Sequence, residues 1–282
     1  MTIKQILAHT SKVLADNDIE EPTLESEILL RHALKINRIQ LYSELENELK
    51  PEGKRKFWKL IERRLKHEPI AYITENREFY GLNFYVNHDV LIPRPESEML
   101  VEQALKITKN QAISTIAEIG TGCGSIAISL ALNLKQVNIY ATDISSKALN
   151  IARINCQKHG VADKICLLEG DMLDPLPETV DLIIANLPYV KQSELSSINT
   201  IGFEPSLAFD GGPDGLGAIY KLCNQISGNL NQKGYIILEI GQGQSETIVN
   251  FLTDTFTTAK IEVVPDLSGI ERVVIVTFQT SH

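Results

Sequence analysis

Apolar positions in the first 66 residues follow a helical rhythm. Ile3, Ile6, Leu7, Val13 and Leu14 recur at helical spacing, and Ile28, Leu29, Leu30 and Leu34 resume the pattern after Pro22-Thr23. Thr23 reads as the N-cap of this second helix, with Glu27 in its first turn. A third helix is expected from Pro51, a residue tolerated at a first helical position, with Phe57, Leu60, Ile61 and Leu65 along one face. Stripes of this kind close a small bundle, suited to partner recognition rather than chemistry. Over residues 77–87, REFYGLNFYVN, the strand formers Phe79, Tyr80, Phe84, Tyr85 and Val86 surround Gly81 and predict a β-hairpin. The two prolines of LIPRPESE (91–98) then stop any strand, and Glu96 to Glu98 open a helix carrying Met99, Leu100, Val101 and Leu105.

From residue 114 the period changes. Apolar β-rich runs at 114–119, 137–142, 165–169, 181–185, 234–240, 259–264 and 272–278 alternate with helical stretches near 125–134, 146–159, 215–230 and 245–256. Strands alternating with helices predict an α/β domain with a mainly parallel sheet covered on both faces. The last two runs have no long helix between them, so an antiparallel hairpin is expected at one edge. The chain therefore divides into a helical part (1–75), a β-hairpin linker (76–89) and an α/β domain (90–282).

Composition narrows the class. The chain has 282 residues and is 43% apolar, enough for the core of one or two domains. Its 36 acidic and 27 basic residues give a net charge of −9, which disfavours non-specific coating of nucleic acid but leaves room for a local basic patch. No apolar run reaches the roughly 18 residues of a membrane span. The N-terminus, MTIKQILAHTSKVLADND, breaks its apolar residues with Lys, Gln, His and Thr and lacks a signal-peptide core. The expectation is a soluble, cytoplasmic protein. Cys123, Cys156, Cys166 and Cys223 form no CxxC pair, and the six histidines include no HExxH, so no metal site is expected and the thiols are expected reduced and mostly buried.

Three motifs fall at the ends of predicted strands. The first is Glu118-Ile119-Gly120-Thr121-Gly122-Cys123-Gly124, between a strand and a helix. Glycines there let backbone approach a ligand, and the helix start supplies unpaired N–H groups. Position 125 is Ser rather than Gly or Ala, and no GK[ST] follows, so neither a dinucleotide fingerprint nor a Walker loop is present. The second is Asp143, about 20 residues further on, where an acid commonly accepts from ribose hydroxyls. It could also cap the following helix, and both roles are compatible. Together these imply a nucleoside-containing ligand at the C-terminal edge of the sheet. The third is Asn186-Leu187-Pro188-Tyr189, after the strand DLIIA.

This arrangement resembles that of S-adenosylmethionine-dependent methyltransferases acting on planar amino or amide nitrogens, whose motif is [ND]-P-P-[YFW]; here it reads NLPY. Such a nitrogen is a poor nucleophile, because its lone pair is delocalised into the adjacent π-system. Two acceptors can hold its hydrogens and turn the lone pair toward the methyl group. By this resemblance the acceptors would be Asn186 Oδ1 and the Leu187 carbonyl, with Tyr189 stacked on the planar group. Leu187 keeps the carbonyl, and Pro188 still restricts it toward an extended conformation. Orientation and electrostatics carry such a reaction, and no strong base is required.

Further stretches are similar to the HemK-type protein-(glutamine-N5) methyltransferases that modify peptide chain release factors. They include Glu68-Pro69-Ile70-Ala71-Tyr72, Glu78-Phe79-Tyr80-Gly81, Leu91 to Glu98, Phe203-Glu204-Pro205, Gly211 to Leu216, Leu238-Glu239-Ile240-Gly241 and Asp266 to Arg272. One departure is Ser97, where that family commonly has Thr. The resemblance covers essentially the whole chain. It implies a seven-stranded Rossmann-like methyltransferase sheet with one antiparallel edge strand, behind a small N-terminal helical bundle that recognises the substrate. It implies S-adenosylmethionine over Glu118 and Gly120 to Gly124, with Asp143 on the ribose, Asp171 and Met172 near the adenine and Asn186 beside the methyl group; the product would be S-adenosylhomocysteine. The implied substrate is the glutamine of the Gly-Gly-Gln motif in a release factor, taken by a monomer without nucleic acid or membrane. Three rivals remain: an adenine-N6 methyltransferase, which would need base flipping and a phosphate-binding surface, a glutamine methyltransferase of a ribosomal protein, and a silent cofactor-binding partner of the translation machinery.

Overall fold

A computed structural model describes residues 1–197 and 202–278, which form two compact units, Met1–Asn76 and Arg77–His282. The first unit is helical: α1 (Ile3–Ala15), α2 (Pro22–Leu34), α3 (Arg38–Ser43), α4 (Pro51–Arg64) and α5 (Ile70–Thr74). The predicted stripes meet in its core, where Ile3, Ile6, Leu14, Leu29, Leu30, Phe57 and Ile61 are buried together. Helix α1 starts with a capping box in which Thr2 and Gln5 exchange side-chain and backbone hydrogen bonds. Thr23 is not a cap. Glu21 holds that position, Pro22 takes the first helical turn, and the Thr23 hydroxyl pairs with Ser11 instead (2.8 Å). Proline already presets the backbone angle and lacks the N–H that a cap would satisfy.

The second unit opens with the hairpin β1 (Arg77–Phe79) and β2 (Leu82–Phe84), turning at Tyr80-Gly81. A 3-10 turn, Pro95–Ser97, leads into α6 (Glu98–Asn110). The remaining elements alternate as β3 (Thr115–Ile119), α7 (Ser125–Asn133), β4 (Asn138–Asp143), α8 (Ser146–Lys158), β5 (Ile165–Glu169) and β6 (Val180–Ala185). After these come α9 (Gly217–Gln225), β7 (Leu230–Glu239), α10 (Ser245–Thr255), β8 (Lys260–Pro265) and β9 (Glu271–Thr277). Seven strands form one sheet in the order β5-β4-β3-β6-β7-β9-β8. The first five are parallel, and β9 is antiparallel to both its neighbours. The antiparallel strand is thus one place in from the edge, which β8 occupies. The returning arm of the β8–β9 hairpin is the more apolar, with Val273, Val274, Ile275 and Val276 buried, and it takes the interior place.

The chain leaves β3 toward β4 and β5, then crosses back to β6 on the other side. That reversal opens a crevice beyond the C-terminal ends of β3, β4 and β6. All three motifs lie there. Among the described residues no helix is long and apolar enough to cross a membrane, and no three His, Cys, Asp or Glu side chains are grouped to hold a metal ion.

Candidate active site

The crevice holds a cavity of about 500 Å³. Gly120, Gly122, Asp143, Asp171, Met172, Asn186, Leu187 and Pro188 all line it. Glu118, Thr121, Cys123, Gly124 and Tyr189 neighbour these residues in the chain and do not themselves line the cavity.

The glycine turn is held by the ends of β4 and β3. Gly120 N–H and Thr121 N–H both donate to the Thr142 carbonyl at 2.9 Å. Beneath the turn, Glu118 is buried, and its Oε2 accepts from the Thr121 hydroxyl (2.6 Å) and the Ala127 N–H (2.9 Å). Burial pushes the Glu118 carboxyl up to about 8, against the downward pull of those two donors. Glu118 therefore shapes the turn rather than facing the cavity. The Cys123 thiol is likewise buried and pushed up to about 12, which makes it a packing group and not a nucleophile.

Gly122 adopts a φ of +55°, and nothing lies within 4 Å of the point where a Cβ would stand. Its backbone faces open space, and its N–H donates to Asp143 Oδ2 (2.9 Å). Asp143 Oδ1 accepts from Ser145 N–H (2.9 Å), while Ser145, through its hydroxyl, caps α8. Burial raises the Asp143 carboxyl above its ordinary range, and the two backbone donors oppose the rise. Each carboxylate oxygen retains a lone pair after its backbone bond, enough to accept from a vicinal diol. Bare backbone beside such a carboxylate fits a nucleoside. The Asp171 carboxylate is paired with Lys221 of α9 at the cavity wall. Met172 sits at a left-handed φ of +51°, and its carbonyl accepts from the Thr142 hydroxyl (2.9 Å).

Asn186 follows β6 directly. Its Nδ2 donates to Ser97 Oγ (2.8 Å), and Ser97 donates in turn to Glu239 Oε2 (2.6 Å). The Tyr189 hydroxyl donates to Glu239 Oε1 (3.3 Å). Leu187 is buried against the glycine turn: a Cβ on Gly120 would lie 3.6 Å from Leu187 Cδ2 and 3.8 Å from the Asn186 carbonyl. The two motifs are therefore in direct apposition.

The far wall explains two other stretches of the sequence. The Glu204 carboxylate is wholly buried, accepting from Arg94 (2.6 Å) and from Ile92 N–H (3.0 Å). This ties LIPRPESE to FEPS, so Val90, Leu91, Pro205 and Leu207 line one wall. Past Tyr189, Val190 N–H donates to the Phe209 carbonyl and Gly211 N–H returns to the Val190 carbonyl. Gly215, at φ +79°, passes so close that a Cβ would meet the Tyr189 carbonyl at 2.5 Å, so a side chain is excluded there. Gln244 donates to that same carbonyl at 3.0 Å. Ser97, Glu239 and Gln244 were not predicted as site residues. The available signals were the acid ending the apolar run IILE and the hydroxyl inside PESE.

Residues 5–74 match the family described as the PrmC N-terminal domain, and residues 95–201 match the methyltransferase small domain. The chain is 39% identical to the release factor glutamine methyltransferase of Moorella thermoacetica, over 96% of this chain and 97% of that one. It is 35% identical to the release factor glutamine methyltransferase of Geobacter sulfurreducens, over 97% and 95%. Among solved structures, the hMettl16 catalytic domain, determined with the MAT2A 3′UTR hairpin 6, shares the fold: the TM-score is 0.56 at 16% identity, over 72% of this chain and 77% of that one.

Proposed function

The chain belongs to the release factor glutamine methyltransferase family, and we propose that Asn186 to Tyr189 present a release-factor glutamine to the cavity for methylation of its side-chain amide nitrogen. The enzyme uses S-adenosylmethionine, and the glutamine we assign is that of the Gly-Gly-Gln motif. Bound S-adenosylmethionine supplies a methyl carbon activated by its sulfonium. Asp143 holds the ribose hydroxyls, the Gly120–Gly124 backbone lies along the ligand, and Asp171 and Met172 border the adenine. Glu118, Thr121 and Cys123 act by holding that backbone in place.

Asn186 Oδ1 and the Leu187 carbonyl accept the two amide N–H bonds of the glutamine. This pins the NH₂ group and aims the nitrogen lone pair along the transfer line. Tyr189 packs on the planar amide. Once the new bond places positive charge on nitrogen, its proton becomes acidic and passes to water without a dedicated base. The helical unit engages the release factor away from the reacting glutamine.

The observation that carries this reading is Asn186, on the cavity wall with its Nδ2 already committed to Ser97, leaving Oδ1 as its acceptor. Replacing Asn186 by Ala is expected to slow methyl transfer about a hundredfold or more, with S-adenosylmethionine affinity nearly intact. The assay is labelled methyl transfer to purified release factor and, in parallel, to duplex and single-stranded DNA, followed by peptide mass mapping. An unchanged rate in N186A would remove the acceptor role, and label on DNA alone would move the nucleophile to a base.

A further inference from the structure

The two ends of an asparagine carboxamide are nearly equal in shape and opposite in polarity. If Nδ2 faced the substrate NH₂, donor would meet donor and the lone pair would not be turned. Something must choose the end that faces the cavity. Nδ2 of Asn186 meets Ser97 Oγ at 2.8 Å, but a hydroxyl alone chooses nothing, because it can donate or accept. The choice comes one bond further on. Ser97 Oγ lies 2.6 Å from Glu239 Oε2, and both residues are buried. A carboxylate only accepts. It takes the Ser97 proton, and the lone pairs left on Ser97 can bind only a donor, the Asn186 NH₂.

We propose that Glu239, acting through the Ser97 hydroxyl, sets the orientation of the Asn186 carboxamide, and that Glu239 and Ser97 are positioning residues for methyl transfer. The inference rests on the reading that Asn186 Oδ1 accepts from the substrate. The same carboxylate takes the Tyr189 hydroxyl on its other oxygen, so one group fixes both ends of the NLPY segment. The relay has a single direction, from Asn186 NH₂ to Ser97 OH to carboxylate. It reverses when Glu239 carries a proton, which turns the Ser97 hydrogen toward Asn186 and favours the oxygen end there. Burial pushes Glu239 up to about 7. The hydrogen bonds from Ser97 and Tyr189 and the charge of Arg272 on β9 pull down, and Glu96 beside Ser97 pushes up. Methyl transfer is therefore expected to weaken as pH falls through about 7.

The test compares Ser97→Ala, Ser97→Thr, Glu239→Leu, Asn186→Ala and the Ser97→Ala/Asn186→Ala double variant of the full chain, with release factor as substrate. Ser97→Ala and Glu239→Leu, which leaves no acceptor for the Ser97 proton, are expected to lower kcat by roughly tenfold to a hundredfold, with the Kd for S-adenosylmethionine unchanged by calorimetry. Ser97→Thr keeps the hydroxyl and should retain most of kcat. The double variant should be no slower than Asn186→Ala alone, because the relay has lost its object. Wild-type kcat in Ser97→Ala, or losses that multiply in the double variant, would overturn the proposal. Should Ser97→Ala fail to fold by thermal melting, Glu239→Leu, which roughly keeps the volume but has no acceptor, reads the same relay, and wild-type kcat there overturns it equally. A fully active Asn186→Ala would instead sink the acceptor reading beneath it.

Discussion

Asp143 carries two loads at once. Its carboxylate holds Gly122 N–H and Ser145 N–H and still has lone pairs for a ligand. Replacing it with Ala is expected to weaken S-adenosylmethionine binding by about tenfold to a hundredfold, the weight of one or two charge-assisted hydrogen bonds. Calorimetric titration checks this, and wild-type affinity would remove Asp143 from the ribose. Residues such as Asp143, Gly122 and Asn186 were legible in the sequence because their chemistry is local: a turn after a strand, an acid after the next, an amide before a proline. Ser97 and Glu239 were not. Ser97 lies 89 residues from Asn186, and Glu239 lies 142 from Ser97, so only the fold brings them together. The same holds for Arg94 and Glu204, whose motifs could be read but whose mutual bond could not.

At the scale of elements, periodicity found the long helices and all seven sheet strands. It missed α3 and α5, which are six and five residues long, too short for a helical period to show. It also predicted the antiparallel hairpin at one edge, where β8 and β9 lie. The resemblance implied an antiparallel strand at the edge itself, whereas the more apolar arm, β9, sits one place inside. The link from β3 to α7 has its own titration. Glu118 binds the Ala127 N–H in the first turn of α7, a place that favours a charged carboxylate, while burial favours the neutral acid and raises it to about 8. A carboxyl whose folded value is raised binds more protons folded than unfolded, so the stability it contributes is present at low pH and lost as pH rises through about 8. The wild-type melting temperature should therefore fall between pH 5 and pH 9 more than that of Glu118→Gln, whose amide oxygen still accepts both bonds. Parallel slopes in thermal melts would show that Glu118 is not the group responsible.

Across the whole molecule, charge is unevenly divided. The helical unit has 13 basic and 13 acidic residues, so the remaining 14 basic and 23 acidic residues place the entire −9 on the α/β unit. Within the helical unit, the stretch from Lys50 to Lys66 holds eight basic residues against Glu52 and Glu62, and Lys54, Arg55 and Lys59 are exposed. If the helical unit engages the release factor, reversing these three to Glu should raise KM for the whole factor and change its salt dependence, leaving S-adenosylmethionine affinity untouched. An unchanged KM across salt concentrations would take α4 out of recognition. The strand order has a consequence in the order of synthesis. A ribosome makes β7 and β8 before β9, yet β9 lies between them. Until it emerges, β7 offers an open apolar edge beside Ile236, Ile237 and Leu238, the kind of edge that pairs with other chains. A nascent chain halted before Glu271 is expected to aggregate rather than fold one strand short, which sedimentation of the truncated product would measure. An enzyme that serves the factors ending translation thus has a fold that waits for a strand made after both of its neighbours.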